Sequence, residues 1–234
     1  MPSAREVYKK VVPESVRNWV RSNSVFRKLR DLYRANTGRH DQFYTAEYYD
    51  DKYREGPATK AAPYVVEDIV KHLNPKSFLD IGCGPGEYLL CMRDRGVEVH
   101  GVDLASIAVE RCVGLGLDVQ KHDLTKPGPM PWVVDVVFSA EVAEHLIPST
   151  ADVFVDKLTG AAKQHVIMTA ARPGQEGENH FNCQPKSYWV DKFAQRGFDY
   201  DEALTQQLEQ RYVELQLADW FQSNLMVFHR KNPA

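Results

Sequence analysis

The feature that most constrains this fold is the run Ser77 to Leu90, SFLDIGCGPGEYLL. Phe78, Leu79 and Ile81 form the short apolar stretch that a buried parallel strand requires. Gly82, Gly84 and Gly86 follow in a G-x-G-x-G pattern. Glycine has no Cβ, so the chain can turn sharply there and approach a ligand closely. A helix then starts near Pro85 or Gly86, proline being suited to the first turn. The free N–H groups at that helix end would face a polar ligand.

Several nucleotide-binding folds use such a turn, and context separates them. No G-x-x-x-x-G-K-[ST] run occurs, which argues against a P-loop. In the dinucleotide fingerprint the third glycine stands three residues after the second. Here Gly86 comes two residues after Gly84, and Glu87 takes the fingerprint position. Asp80, at the strand end, suits a cationic ligand better than a pyrophosphate. The next strand, Val97 to Leu104, ends in Asp103, about 20 residues after the turn, where an acid can accept both ribose hydroxyls.

With these residues the chain resembles the class I S-adenosylmethionine (SAM) methyltransferases. The matching motifs are LDIGCGPGEY at Leu79 to Tyr88, GVDLA at Gly101 to Ala105, HDL at His122 to Leu124, and the strand VVFSAEVAEHL ending at Leu146. The likeness spans roughly residues 64–230. It implies an α/β fold, a Rossmann-like sandwich with a seven-stranded, mostly parallel sheet. It also implies SAM as cofactor, held by Asp80, Gly82, Cys83, Gly84, Gly86, Tyr88, Asp103, Leu104, His122, Asp123, Leu124 and Glu141. By this resemblance Asp123 faces the adenine amine, with His122 beside it.

Composition bounds the rest. A chain of 234 residues with 43% hydrophobic and 26% charged residues suits one α/β domain with additions. No apolar run reaches the ~18 residues of a membrane span, and the N-terminus lacks a signal-peptide core. Cys83, Cys91, Cys112 and Cys183 show no metal or redox spacing, as expected for a reduced cytoplasmic chain. The net charge of −3 gives no reason to expect a nucleic-acid partner. The charge is uneven, however. Residues 1–40 carry Arg5, Lys9, Lys10, Arg17, Arg21, Arg27, Lys28, Arg30, Arg34 and Arg39 against Glu6, Glu14 and Asp31. That segment is either a solvated helical face or a basic surface for an anionic partner or membrane.

The expected organisation is an N-terminal helical extension over residues 1–60 and a methyltransferase domain over 61–234. Residues 5–35 show helical spacing broken at Pro13. Residues 36–41 read as a linker, followed by the aromatic cluster Phe43, Tyr44, Tyr48, Tyr49 and Tyr53. That cluster either packs on the domain edge or covers the cofactor, whose sulfonium an aromatic face would attract. The extension is read as a lid or as a homodimer contact. Helices are expected at 63–73, 88–95, 105–113, 150–162, 185–196 and 203–221. They alternate with strands at 117–120, 133–140, 164–170, 198–201 and 224–229, which implies a parallel sheet covered on both faces.

Chemistry is concentrated after the fourth strand, in Glu141-Val142-Ala143-Glu144-His145. If that turn is helical, Glu141, Glu144 and His145 share one face. Two carboxylates and an imidazole can bind a divalent metal such as Mg²⁺. The E-x-x-E-H pattern resembles ubiquinone-pathway O-methyltransferases, in which a metal at this place helps ionise the acceptor hydroxyl. The metal-free alternative has Glu141 bordering the cofactor, Glu144 capping a turn and His145 acting alone as base. His145, Glu144 and His180 are the candidate catalytic residues. His180 lies in ENHFNCQPKSYW, which resembles the H-x-N-x-x-P-x-x-Y-W run of bacterial saccharide-biosynthesis methyltransferases. By that resemblance His180, Asn182 and Tyr188 line an acceptor pocket, while Trp189 packs in a helix and Trp220 and Asn224 form pocket wall or fold support.

The expected activity is SAM-dependent methylation of a hydroxyl on a sugar or oligosaccharide. A phenol acceptor of the quinone-pathway type is the nearest alternative. A nicotinamide dehydrogenase is opposed by the glycine spacing and Asp80. A SAM-binding module without chemistry is opposed by the intact E-x-x-E-H.

Overall fold

The computed structural model describes Pro13, Tyr49, residues 56–175, Gly177 and residues 179–231. The chain divides into two compact units, Met1–Arg39 and His40–Ala234, and the fold below is that of the second. The predicted helices over residues 5–35, the linker at 36–41 and the aromatic cluster other than Tyr49 lie outside the described residues.

Strand and helix alternate from the first element onward. Helix α1 (Pro57–Leu73) leads into β1 (Ser77–Ile81), α2 (Glu87–Arg93), β2 (Glu98–Asp103), α3 (Ser106–Gly114) and β3 (Asp118–Lys121). Then come β4 (Val134–Ser139), short 3₁₀ turns at Ala143–His145 and Pro148–Thr150, α4 (Ala151–Ala161) and β5 (Ala162–Thr169). The chain closes with α5 (Lys186–Ala194), β6 (Phe198–Tyr200), α6 (Glu202–Glu214), α7 (Asp219–Ser223) and β7 (Leu225–Arg230). The strands form one seven-stranded sheet in the order β3-β2-β1-β4-β5-β7-β6. All pairings are parallel except those of β7, which runs antiparallel to β5 and β6.

The central strand explains the apolar run at its origin. All five residues of β1 are buried, because β2 and β4 flank it and helices cover both faces. Side chains alternate across the pleat. Phe78, Val136, Phe138, Ile167 and Val227 enter the layer with α1, α2 and α6. Leu79, Ile81, Val137, Val166, Met168 and Phe228 enter the opposite layer with α4 and α5. The two layers leave the carboxyl ends of β1, β2 and β4 free to carry a site. Ser139 Oγ closes one gap there by donating to the Ile81 carbonyl at 2.8 Å.

Two element boundaries differ from expectation. Helix α1 begins at Pro57 rather than Pro63. Its Pro63 lies well inside the helix, and six residues before it are helical as well. The helix expected over 203–221 is two helices, parted at Leu215 to Ala218. Gln216 there takes a left-handed φ of 53°, and Leu217 N–H reaches back to the Tyr212 carbonyl at 3.0 Å. This ends the first helix with a Schellman-like turn and lets the second place Trp220 over the ligand cavity.

Helix α6 is tied to α1 by Arg211, whose Nε donates to Asp68 at 2.9 Å. Asp68 is fully buried, and Arg211 is only partly so. Arg211→Met should lower stability by about 1–3 kcal/mol, as expected when a buried acceptor loses its partner. Urea unfolding measures this directly. Among the described residues no helix is long and apolar enough to cross a membrane.

Candidate active site

A cavity of about 320 Å³ opens at the carboxyl ends of β1, β2 and β4. Its walls combine the glycine turn (Gly82, Cys83, Gly84), the end of β2 (Asp103, Leu104, Ala105) and the loop after β3 (Asp123, Leu124, Thr125). The segment after β4 adds Ala140, Glu141, Val142, His145 and Leu146. Tyr49, Glu87, Tyr88, Phe138 and Trp220 complete it. Among the described lining residues Asp80, Glu87, Asp103, Asp123 and Glu141 are acidic and none is a lysine or arginine. Such a cavity has a negative potential that favours a cation.

The glycine turn is shaped by what lies behind it. Gly82 and Cys83 N–H both donate to the Val102 carbonyl, at 2.8 and 3.1 Å. Gly82 has a φ of 79°, and a Cβ there would collide with Val142. Asp103 fastens the other side of the turn, accepting from Gly84 N–H at 2.9 Å and from Ala105 N–H at 2.8 Å. A carboxylate offers about four lone-pair sites. Burial, then the neighbouring charges of Asp103 and Glu87, hold the Asp80 carboxyl well above the usual carboxylate range. In the loop after β3, Asp123 Oδ1 accepts from Thr125 N–H at 2.9 Å and Thr125 Oγ1 at 2.6 Å, which fixes its orientation.

At the end of β4 the backbone is bent. Glu141 takes a φ of 54°, rare for a residue with a side chain. Its N–H donates to Thr169 Oγ1 at 2.9 Å. The Glu141 carboxylate faces Asn224 Nδ2 at 3.5 Å and Gln175 Nε2 at 3.4 Å, and Asn224 in turn donates to Gln175 at 2.8 Å. The 3₁₀ turn that follows carries Glu144 inward and His145 to the cavity wall. Burial, followed by the charge of Glu141, pushes the Glu144 carboxyl well above its ordinary range. The His145 and His180 rings stand edge to face with centroids 5.0 Å apart.

The arrangement is a ligand cavity with a polar cluster beside it, built on the sheet order β3-β2-β1-β4-β5-β7-β6. A family model described as a methyltransferase domain matches residues 50–158. This match and the relatives that follow indicate a class I SAM-dependent methyltransferase. A ubiquinone biosynthesis O-methyltransferase from Stutzerimonas stutzeri (strain A1501) is 28% identical over 163 residues, 65% of this chain and 64% of that protein. The chain therefore spans less than two thirds of that relative's length. Among solved structures, magnesium protoporphyrin IX methyltransferase from Synechocystis PCC 6803 with bound SAH has a TM-score of 0.63 at 15% identity, covering 82% of this chain and 98% of that one. A sugar N-methyltransferase from Streptoalloteichus sp ATCC 53650 has a TM-score of 0.60 at 14% identity, over 80% and 93%. At such identities the structural likeness concerns the fold.

Within this methyltransferase, most residues expected at the cofactor do line the cavity: Asp80, Gly82, Cys83, Gly84, Tyr88, Asp103, Leu104, Asp123, Leu124 and Glu141. Two do not. Gly86 starts α2 with a φ of 90°, and a Cβ there would press on Cys112 Sγ and Leu117 Cδ1, each at 2.9 Å. Its reason is helix packing rather than ligand approach. His122 is turned to Lys157, whose Nζ lies 2.8 Å from its Nε2. Burial, then the Lys157 charge, lowers its pKa.

The three residues expected to be catalytic, His145, Glu144 and His180, do come together. The metal set Glu141, Glu144 and His145 does not, because Glu141 lies ahead of the 3₁₀ turn and is engaged by Asn224 and Gln175. Among the described residues these three do not form one donor group for magnesium. The expected acceptor residues Asn182 and Tyr188 are also away from the cavity. Asn182 is buried and accepts from Gln184 Nε2 at 3.0 Å. Tyr188 packs edge to face on the buried Trp189 and lies under Lys192 Nζ at 4.9 Å. Glu87, Thr125, Val142 and Gln175 were missed. Glu87 had a legible signal, an acid in the first turn of a helix that follows a glycine turn. Gln175 had none, since its loop meets Glu141 and Asn224 only in the fold.

Proposed function

We propose that this protein transfers the methyl group of SAM to a hydroxyl of a sugar or oligosaccharide, with His145 receiving the hydroxyl proton. The observation that carries the catalytic part is His145 on the cavity wall, with Glu144 and His180 grouped beside it. SAM supplies a methyl carbon made electrophilic by its sulfonium. The chain's own residues bind and orient. Asp103 would hold the ribose hydroxyls, Asp123 the adenine amine, and the buried Asp80 with the half-buried Glu87 the cationic amino-acid end. Aromatic faces of Tyr49, Tyr88 and Trp220 would exclude water and favour the positive charge. In-line approach of the acceptor makes positioning a large part of the rate, and removing the hydroxyl proton makes the oxygen nucleophilic. Residues 1–60 are taken as an extension to the domain at 61–234.

The saccharide acceptor is supported by the HFNCQPKSYW run and by structural neighbours that act on sugars, among them an amino pentose methyltransferase from Micromonospora echinaspora. A phenol acceptor is the second reading, favoured by the curated relative of ubiquinone biosynthesis and the shared E-x-x-E-H. Methyl transfer from labelled SAM to parallel panels of saccharides and phenols decides between them. Transfer confined to phenols would replace the saccharide reading, and transfer to neither panel would defeat both.

The cofactor reading also has a pH signature. Asp80 retains its proton above the usual carboxylate range because of burial and its acidic neighbours. A bound cation opposes both effects and favours the carboxylate. Within that window SAM binding should release a proton and tighten as pH rises. The same window should see the ligand-free protein lose stability with rising pH, since the folded state holds a proton that the unfolded state does not. Titration calorimetry in buffers of different ionisation enthalpy reads the proton release. No proton exchange above pH 4–5 (roughly the unfolded carboxylate range) would count against a cation beside Asp80.

A further inference from the structure

A buried lysine stands behind the loop that carries Asp123 to the cavity. Lys157, on α4, is only 3% exposed. Its Nζ lies 2.8 Å from His122 Nε2 and donates to the Gly128 carbonyl at 3.0 Å. These two contacts fall on either side of Asp123, Leu124 and Thr125, the residues by which this loop lines the cavity. The inner geometry of the loop is set locally. Asp123 Oδ1 accepts from Thr125 N–H and Oγ1, and Lys126 N–H donates to the Asp123 carbonyl at 3.3 Å. The position of the loop on the sheet is set from outside it. His122 N–H donates to the Asp103 carbonyl at 2.9 Å, and Lys157 holds the His122 ring and the Gly128 end together.

An ammonium is a costly group to place here. Burial lowers the Lys157 pKa, opposed by the charge of Asp123, and a carbonyl and an imidazole do not neutralise it. An ammonium has three donors and no acceptor. His122 Nε2 therefore supplies the lone pair, and the ring proton sits on Nδ1. Burial, then the Lys157 charge, lowers the His122 pKa, in keeping with a neutral ring. Methionine has a similar length and would avoid the cost of burying a charge. Packing alone thus gives no reason for a lysine at this position.

We propose that Lys157 is a positioning residue for the adenine end of the cofactor, acting through His122 and Gly128 on Asp123, a role that rests on the assignment of Asp123 to the adenine amine. Lys157 does not line the cavity, so its effect reaches the ligand only through the loop. The contact requires a neutral His122. Among the described residues, the charged groups that face this ring are Lys157 from α4 and Asp123 from its own loop. A proton on Nε2 would set two donors and two positive charges against each other at the Lys157 contact, which then breaks. Recognition of the adenine amine should therefore weaken as pH falls below the ordinary histidine range.

The test compares, on the full chain, the binding of SAH with that of its deamino analogue, which lacks the adenine amine. The parent should prefer SAH by about 10-fold or more, as one hydrogen bond to a charged group provides. Lys157→Met should lose most of that preference, yet bind the deamino analogue as the parent does and unfold in urea at no lower a midpoint. His122→Gln should keep the preference, since its amide oxygen can still accept from Lys157, and His122→Leu should lose it. Between about pH 8 and about pH 5, the range in which histidine changes charge, the preference should decline in the parent and stay level in His122→Gln. Asp80 is assigned to the amino-acid end, which both ligands share, so the ratio of affinities cancels its own pH effect. Lys157→Met overturns the role if it keeps the parent's preference or weakens both ligands alike, and so does a His122→Leu variant that discriminates as the parent does. A parent that binds both ligands equally would instead overturn the assignment of Asp123, and with it the role of Lys157. Should Lys157→Met fail to fold, the contrast between His122→Gln and His122→Leu decides.

Discussion

The His145→Ala variant, assayed free of metal, should turn over about 10²–10⁴-fold more slowly than the parent, the range of a lost general base. Its affinity for SAM should be nearly unchanged. The groups assigned to the ribose, the adenine and the amino-acid end lie on β1, α2, β2 and the loop after β3, and His145 lies after β4. Glu144 is fully buried and does not line the cavity, so it is not placed to take over the proton. His180 does not line the cavity and stands behind His145. Single-turnover transfer from labelled SAM, with SAH binding measured in parallel, separates the two effects. Full turnover in the variant would remove His145 from the mechanism. An equal loss of SAH binding would make it a wall of the cofactor site instead.

Asp103→Ala carries the second large effect, and it falls on binding. The carboxylate joins Gly84 N–H and Ala105 N–H, so it shapes the glycine turn as well as offering acceptors to the ribose. A hydrogen bond to a charged group contributes about 1.5–3 kcal/mol, or about 10–150-fold in affinity. With two hydroxyls and two backbone groups relying on one side chain, a loss of at least about 100-fold is expected. Asp103→Asn keeps one acceptor oxygen and should fall between the variant and the parent. Equilibrium dialysis with labelled SAM measures both. Unaltered binding in the alanine variant would overturn the cofactor assignment at the end of β2.

How far the chain is legible without its structure depends on whether the signal is local. The run SFLDIGCGPGEYLL reads as strand, turn and helix because burial on both faces demands continuous apolar residues and a tight turn demands glycine. Asp103 was placed correctly at the end of the next strand, since one strand–turn–helix unit separates it from the glycine turn. The same local reading misjudged Gly86, because a glycine needed for packing on Cys112 and Leu117 looks identical in sequence to one needed for a ligand. His122 was misplaced for a similar reason. Its neighbour Asp123 does face the cavity, but the direction of His122 is set by Lys157, far away in the chain.

The turn after β4 shows the limit most clearly. Spacing in E-x-x-E-H implied one helical face for Glu141, Glu144 and His145. A left-handed residue at Glu141, held by Thr169 of β5, interrupts that helical spacing. The partner that replaces it, His180, comes from the loop after β5 and is set by hydrogen bonds from Phe181 and Asn182 to Glu144. The sequence by itself determined the alternation of strand and helix, the glycine turn and the acids at strand ends. Each depends on the intrinsic geometry of a few adjacent residues. Only the tertiary structure decided which imidazole meets Glu144. That meeting depends on where two distant loops cross at the end of the sheet, and nothing in the spacing along one chain records such a crossing.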